Sequence, residues 1–346
     1  MIQEKLTNWN PPAGFTCVKT IDMHTAGEPL RVITSGIPDI PGNTILEKRR
    51  FFRDHYDSLR TSLMWEPRGH GDMYGAILTQ PVTPDGDFGT FFLHNEGYST
   101  MCGHAMIALI KLALETGLVT REGGRPEVLI DAPPGRITGY GIREGDTIVR
   151  SFFRNVPSFV LLSGRVVQVP GIGPVEFDVA YGGAFYAFVD AAKLGFRLVP
   201  EEYGKLIDYG RRIKLAVMDQ FRIIHPFEPD LSFLYGTIFT GEPMDPANHS
   251  RNVCVFANGE IDRSPTGSGV SARSALHHAK DGLPPGRKIT IESIIGSTMT
   301  VEIVETTAFG NYPAVIPEVS GTSHFTGRHE FYLDATDSLT GGFFLK

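Results

Sequence analysis

Two short stretches of this chain share one design, and together they constrain the fold more than any other feature. In the first, Ser99-Thr100-Met101-Cys102-Gly103-His104, a cysteine stands where a helix should begin, directly before the apolar run 105–114. In the second, Asp262-Arg263-Ser264-Pro265-Thr266-Gly267-Ser268-Gly269, a threonine holds the same place before another helix. Gly117 follows Cys102 and Gly282 follows Thr266 at almost the same offset, each where a C′ glycine would end the helix. This matching reads as an internal duplication and predicts two halves that meet at one active site.

At 346 residues the chain is long for a single core, so two domains are expected. The boundary is placed in the 157–164 region: a first α/β domain over 1–157, joined by a C-terminal strand at 331–346, and a second over 158–330. Alternating patterns predict strands at 17–21 and 30–33 around Thr25-Ala26-Gly27-Glu28-Pro29, then at 73–78, 89–93, 128–131 and 147–153. An amphipathic helix is expected over 44–63, with Lys48-Arg49-Arg50 on its solvated face. The helix after Cys102 is apolar almost all round and should be buried. In the second half, strands at 175–180 and 184–190 flank Tyr181-Gly182-Gly183, a helix covers 206–220, and a strand at 252–257 meets the Asn258-Gly259 turn. Pro265 suits the first turn of the Thr266 helix. Further strands follow at 288–293 and 299–304, joined through Gly296-Ser297, and on to the C-terminus.

Charge and cysteine usage narrow the partner. The net charge is −7 and no basic cluster exceeds Lys48-Arg49-Arg50, which argues against nucleic acid or an anionic membrane and leaves a small solute as the ligand. Residues 1–14 hold no apolar stretch of signal-peptide length, and Lys111 interrupts the longest apolar run, so a soluble cytoplasmic protein is expected. Cys17, Cys102 and Cys254 lack metal spacing and are odd in number, which predicts reduced thiols rather than disulfides or a zinc site.

A thiol at a helix N-terminus is electrostatically special, because unpaired N–H groups and the helix dipole favour the thiolate. Gly103 and His104 would expose amides suited to a substrate carboxylate, and His104 either orients Cys102 or touches the substrate. Gly267 and Ser268 offer the same amides from the other side. Taken alone, Thr266 is a helix cap; Asp262 is either a turn cap or a partner for a substrate ammonium. Cys17 and Cys254, inside apolar strand patterns, read as structural thiols. His24 with Glu28 and His70 with Asp72 lack a third ligand at a recognised spacing, so they read as structural or cleft-lining groups, and no metal site is expected. His277-His278 reads as surface or interface. Gly267-Ser268-Gly269-Val270-Ser271-Ala272 matches a dinucleotide pattern, but no parallel strand runs straight into the glycines, so no nucleotide is expected.

Five motifs, in order and spread over nearly the whole chain, resemble the proline racemase family: His24-Thr25-Ala26-Gly27-Glu28-Pro29-Leu30-Arg31, Arg68-Gly69-His70-Gly71-Asp72-Met73-Tyr74-Gly75, Met101-Cys102-Gly103-His104, Tyr181-Gly182-Gly183-Ala184-Phe185-Tyr186 and Asp262-Arg263-Ser264-Pro265-Thr266-Gly267. The resemblance implies two similar α/β domains of the diaminopimelate epimerase type facing across a cleft, no cofactor, and a homodimer. Racemases and hydroxyproline epimerases of the family carry a second cysteine where this chain has Thr266. The Cys/Thr pairing, with Asn95-Glu96-Gly97-Tyr98 and residues 262–272, resembles instead the trans-3-hydroxy-L-proline dehydratases. A racemase needs an acid and a base on opposite faces of Cα, and a threonine hydroxyl is far too weak an acid for that exchange. The expected chemistry is therefore elimination from a zwitterionic imino acid, with Cys102 and Thr266 at the reacting carbon and Gly103, His104, Asp262, Gly267 and Ser268 binding substrate. Proline or hydroxyproline 2-epimerisation is the alternative, and a non-catalytic amino-acid-binding protein the remoter one.

Overall fold

The computed structural model describes residues 1–345. A short helix, α1 (Ile2–Thr7), precedes the hairpin of β1 (Thr16–Thr25) and β2 (Glu28–Ser35). Its turn is only Ala26 and Gly27, at φ 54° and 91°. Two successive left-handed residues suit the twist of a tight hairpin, so β2 starts earlier than the sequence suggests and places Glu28 at its mouth. Helix α2 (Ile45–Met64) opens on a capping box: Thr44 Oγ1 accepts from Glu47 N at 3.1 Å, and the Glu47 carboxylate accepts from Thr44 N at 3.3 Å. The basic cluster on this helix is not wholly solvated. Arg49 is buried and donates to the Ser99 carbonyl at 3.1 Å, because its guanidinium ties α2 to the strand that leads into Cys102.

The first half continues through β3 (Tyr74–Thr79), β4 (Phe88–His94), β5 (Gly97–Ser99), α3 (Gly103–Glu115), β6 (Glu127–Ala132), β7 (Gly135–Glu144) and β8 (Thr147–Arg154). Every residue of α3 from Gly103 to Leu114 is buried, and each large apolar side chain contributes about 1.5–3 kcal/mol by leaving water. Lys111 is accommodated because its ammonium meets Glu115 at 2.9 Å and the Ile148 carbonyl at 2.6 Å. The sequence reading lacks β7, whose glycines weaken its strand pattern. They are needed for packing: a Cβ at Gly139 would stand 2.5 Å from Ile110 Cδ1, and one at Gly141 2.8 Å from Leu114 Cδ1.

The second half repeats the pairing. It comprises β9 (Ser158–Val169), β10 (Gly173–Tyr181), β11 (Phe185–Asp190), α4 (Tyr203–Gln220), β12 (Leu234–Gly241), β13 (Ser250–Phe256), β14 (Glu260–Ile261), α5 (Gly267–Asp281), β15 (Lys288–Glu292), β16 (Thr298–Phe309) and β17 (Tyr312–Gly321), with β18 (Ser323–Leu333) last. The run β1, β2, β3, β4, β6, β7, β8 pairs antiparallel, parallel, antiparallel, parallel, antiparallel, antiparallel. The run β10, β11, β12, β13, β15, β16, β17 does the same in the same order. Helices α3 and α5 occupy equivalent places, and so do α2 and α4. The duplication faintly visible in two motifs is thus written through the whole topology.

Two expectations shift in detail. The 157–164 region lies mostly within β9, which begins at Ser158, and only Asn155, Val156 and Pro157 separate it from β8. The C-terminal strand that returns to the first half is β18, running antiparallel to β1 from Thr16↔Leu333 to Thr25↔Ser323, rather than 331–346. Beyond it the chain turns, because Asp334 Oδ1 accepts from Thr336 N at 2.8 Å and Asp337 Oδ1 from Leu339 N at 2.9 Å. The halves are joined by β17, which pairs with both β8 and β9, and one continuous apolar cluster includes side chains of α3 and α5. Among the described residues no helix is long and apolar enough to cross a membrane.

Candidate active site

The two helix starts meet head to head. A Cβ on Gly103 would lie 2.5 Å from Gly267 Cα, and one on Gly267 would lie 2.7 Å from Gly103 Cα. Only glycine permits this approach, which sets the unpaired N–H groups of α3 and α5 against one another and concentrates positive potential between them. The halves are tied across the junction, where Thr100 Oγ1 donates to the Gly183 carbonyl at 2.7 Å and Ser297 Oγ to the Ala26 carbonyl at 2.7 Å, and within the first half Thr25 Oγ1 donates to the His104 carbonyl at 2.8 Å.

Cys102 is the N-cap of α3, in extended conformation and without a side-chain cap bond. Its Sγ lies 3.1 Å from His104 Nδ1. Burial lowers the imidazole pKa and favours the neutral ring, in which one nitrogen is free to accept the thiol hydrogen. Burial also pushes the Cys102 thiol well up, outweighing the help of the Ala105 amide and the Tyr74 phenol, while the Asp262 and Glu28 carboxyls raise it further. This reverses the expectation of a helix-lowered thiol. In a closed site desolvation exceeds what a helix terminus supplies.

Thr266 is the N-cap of α5, and Pro265 therefore precedes the helix instead of entering its first turn. Thr266 sits at φ 67° and ψ 91°, a strained region for a β-branched residue that costs on the order of 1–3 kcal/mol. Its surroundings impose the geometry. Thr266 N donates to Ser264 Oγ at 3.1 Å, Thr266 Oγ1 donates to Asp262 Oδ2 at 2.8 Å, and Asp262 Oδ1 accepts from Ser264 N at 2.7 Å. Its hydroxyl hydrogen is committed to Asp262.

All seven residues singled out in the sequence, Cys102, Gly103, His104, Asp262, Thr266, Gly267 and Ser268, line one cavity. The structure adds Glu28, Tyr74, Met101, Tyr186, Tyr235, Cys254 and Phe256 to the walls. Glu28 was legible only as a cleft-lining option. It is fully buried; Oε2 accepts from Arg263 N at 2.7 Å, and Oε1 has no partner among the described residues. Burial, then the nearby Asp262 carboxylate, pushes its pKa well up. Cys254, read as a purely structural thiol, is buried in β13 but also faces the cavity beside Thr266. Its period-two spacing from Phe256 was the available signal: both point to the same side of the strand that feeds the Asp262 motif.

The other histidines have local partners. His24 Nδ1 accepts from Gly27 N at 3.3 Å, and His70 Nδ1 lies 2.8 Å from the Gly71 carbonyl. Asp72 accepts from Arg263 at 2.7 Å and Tyr203 at 3.0 Å. His277 lies 2.6 Å from Asp281, and His278 2.8 Å from the Leu283 carbonyl. Among the described residues no group of three or more His, Cys, Asp and Glu side chains is placed to hold a metal ion. The glycines of the dinucleotide-like pattern serve packing: Gly267 abuts Gly103, and a Cβ on Gly269 would stand 2.3 Å from Ile238 Cδ1. What the cavity offers is an anion-favouring pole at the helix starts, two carboxyls on the Asp262 side for a cation, and unequal groups, a thiol and a bound hydroxyl, at the two helix caps.

Comparison with known proteins identifies the family. The proline racemase family model matches residues 20–344. A trans-3-hydroxy-L-proline dehydratase of Colwellia psychrerythraea is 50% identical over 99% of this chain and 97% of its own, and the human trans-3-hydroxy-L-proline dehydratase is 46% identical over 96% of each. Among solved structures, a hydroxyproline epimerase of Agrobacterium vitis with bound trans-4-hydroxy-L-proline superposes with a TM-score of 0.90 at 29% identity, over 95% of this chain and 96% of that one. The mixed α/β architecture is accordingly of the diaminopimelate epimerase type. By family model, by identity over nearly its full length and by fold, the chain belongs to the proline racemase family.

Proposed function

We propose that this protein is a hydro-lyase that dehydrates trans-3-hydroxy-L-proline to pyrroline-2-carboxylate without a cofactor. The observation that carries this reading is the inequality of the two helix caps: a thiol at Cys102, and at Thr266 a hydroxyl whose hydrogen is already donated to Asp262 at 2.8 Å. The names of the relatives support it.

In trans-3-hydroxy-L-proline the ring hydroxyl and the carboxylate lie on opposite faces, so the Cα hydrogen shares a face with the hydroxyl. One group can serve both. The carboxylate is held by the amides of Gly103, His104, Gly267 and Ser268, and the two N–H groups of the ring ammonium go to Asp262 and Glu28. The ammonium opposes the carboxyls that hold the Cys102 thiol protonated, so substrate entry favours the thiolate, and His104 keeps Sγ oriented. Cys102 thiolate takes the Cα proton; the C–H electron pair forms the C2=C3 bond, and the C3–O bond breaks. The departing oxygen takes the proton from the new thiol, so water leaves and the thiolate is restored. Thr266 fills and polarises the opposite face.

The similar pairing patterns support treating 1–157 with the returning strand as one domain and the intervening segment as the other. Three unpaired thiols support a reducing, cytoplasmic setting. A 2-epimerase is the rival reading, since relatives of that name exist in the family. Incubation with trans-3-hydroxy-L-proline, with trapping of the pyrroline and chiral separation of the imino acids, decides between them. The proposal expects pyrroline; accumulation of cis-3-hydroxy-D-proline without it rejects the dehydratase.

A further inference from the structure

One polar atom in the cavity wall has neither a partner nor a part in the reaction above. Tyr235, near the start of β12, is 6% exposed, with its ring stacked on Phe256 at 5.4 Å and edge-on to Tyr186 at 5.9 Å and His94 at 6.0 Å. Its hydroxyl is buried and makes no hydrogen bond of good geometry among the described residues, with the Tyr74 phenol as a neighbour. The other two phenols of the cavity are engaged, Tyr74 with Ser99 Oγ and Tyr186 with Ser268 Oγ at 2.7 Å. A buried O–H left unpaired is costly, so its retention in a binding cavity points to a ligand oxygen that completes it.

The location limits which ligand oxygen that is. Tyr235 lines the cavity together with Cys102 and Tyr74, and its phenol interacts with that of Tyr74, whereas Asp262 and Glu28 sit where the ammonium is read. An L-proline ring would present only methylenes to the phenol. A hydroxyl on the carbon next to Cα, on the face shared with the Cα hydrogen and hence with Cys102, would present an acceptor. Resting on the dehydratase reading, we propose that Tyr235 is the specificity-determining hydrogen-bond donor to the ring 3-hydroxyl. The leaving oxygen takes its proton from Cys102 on one lone pair and accepts the Tyr235 hydrogen bond on the other. Tyr235 keeps its proton throughout, so the balance of the reaction is unchanged.

Tyr235→Phe tests this while preserving the ring and its stack on Phe256. We expect kcat/KM for trans-3-hydroxy-L-proline to fall about 10- to 100-fold, mainly in kcat because the bond strengthens as the C–O bond breaks. The inhibition constant of L-proline should change by less than about twofold, since that ligand lacks the hydroxyl. Unchanged turnover overturns the proposal, and so does equal weakening toward both ligands, which would mark a structural role. Wild-type protein that does not dehydrate the substrate rejects the dehydratase reading alone. The inference is then read from calorimetric affinities: wild type should prefer the hydroxylated ring over L-proline and Tyr235→Phe should lose that preference, while an unaltered preference overturns it.

Discussion

The starts of α3 and α5 occupy equivalent places in a duplicated fold, yet they are built differently. At Cys102 the backbone is relaxed and extended, and the side chain lies against His104 at 3.1 Å. At Thr266 the backbone is forced to φ 67°, and the side chain is tied to Asp262. The helices differ as well, since α3 is apolar almost throughout and α5 carries buried Ser271, Arg273 and Ser274. The common part is the glycine contact that brings both sets of amides to one point. The two poles share that contact and differ in the side chain at the cap, a thiol at one and an engaged hydroxyl at the other. On the proposed function, the residue at a single helix cap decides whether such a scaffold exchanges a proton across a carbon or eliminates from one face of it.

The largest effect should come from the thiol pole. Cys102→Ser should reduce dehydration by about a thousandfold or more, measured by pyrroline trapping, because a hydroxyl cannot supply the base. Next is the shared glycine contact. Gly267→Ala places a methyl 2.7 Å from Gly103 Cα and should lower the stability measured by urea unfolding by about 1–3 kcal/mol, with loss of turnover as the amides part. Equalising the poles should add chemistry. Thr266→Cys should gain measurable 2-epimerase activity on hydroxyproline, and chiral chromatography showing none would argue against opposed faces.

Smaller and pH-dependent effects should come from the carboxyl side. Glu28 has a folded pKa raised by burial and Asp262, so the native state holds its proton more tightly than the unfolded chain does. Its contribution is fully present below the ordinary carboxylate range and is lost as pH rises toward the folded value. Glu28→Gln should therefore melt higher relative to wild type at pH 8 than at pH 5, while KM rises about tenfold because an ammonium partner is lost. For Cys102, raised by burial, kcat/KM should keep climbing with pH beyond the ordinary thiol range; a plateau at neutral pH would contradict this.

Much of this was readable in the chain because it depends on local pattern. The β1–β2 hairpin, the capped α2, the buried α3 and the glycine stops at Gly117 and Gly282 follow from periodicity, capping residues and turn chemistry. The seven site residues came from the two helix-start motifs and converge in one cavity. What stayed hidden depends on packing between distant segments. Gly139 and Gly141 look like strand breakers until α3 is laid against them, and Arg49 looks solvated until Ser99 is found beside it. Glu28, Tyr235 and Cys254 belong to different strands, and no spacing in the sequence shows that their side chains share one wall. The Cys102 thiol misled for a related reason: the helix terminus is visible in sequence, whereas the degree of burial that overrides it is not.

The inequality of the poles is tested most directly by comparing Thr266→Ala with Cys102→Ser in one dehydration assay, with circular dichroism confirming that both are folded. Thr266→Ala should retain turnover within about tenfold of wild type, the scale of one lost polar contact, while Cys102→Ser is nearly inactive. Folded Thr266→Ala protein as inactive as Cys102→Ser would contradict a reaction run by a single thiol.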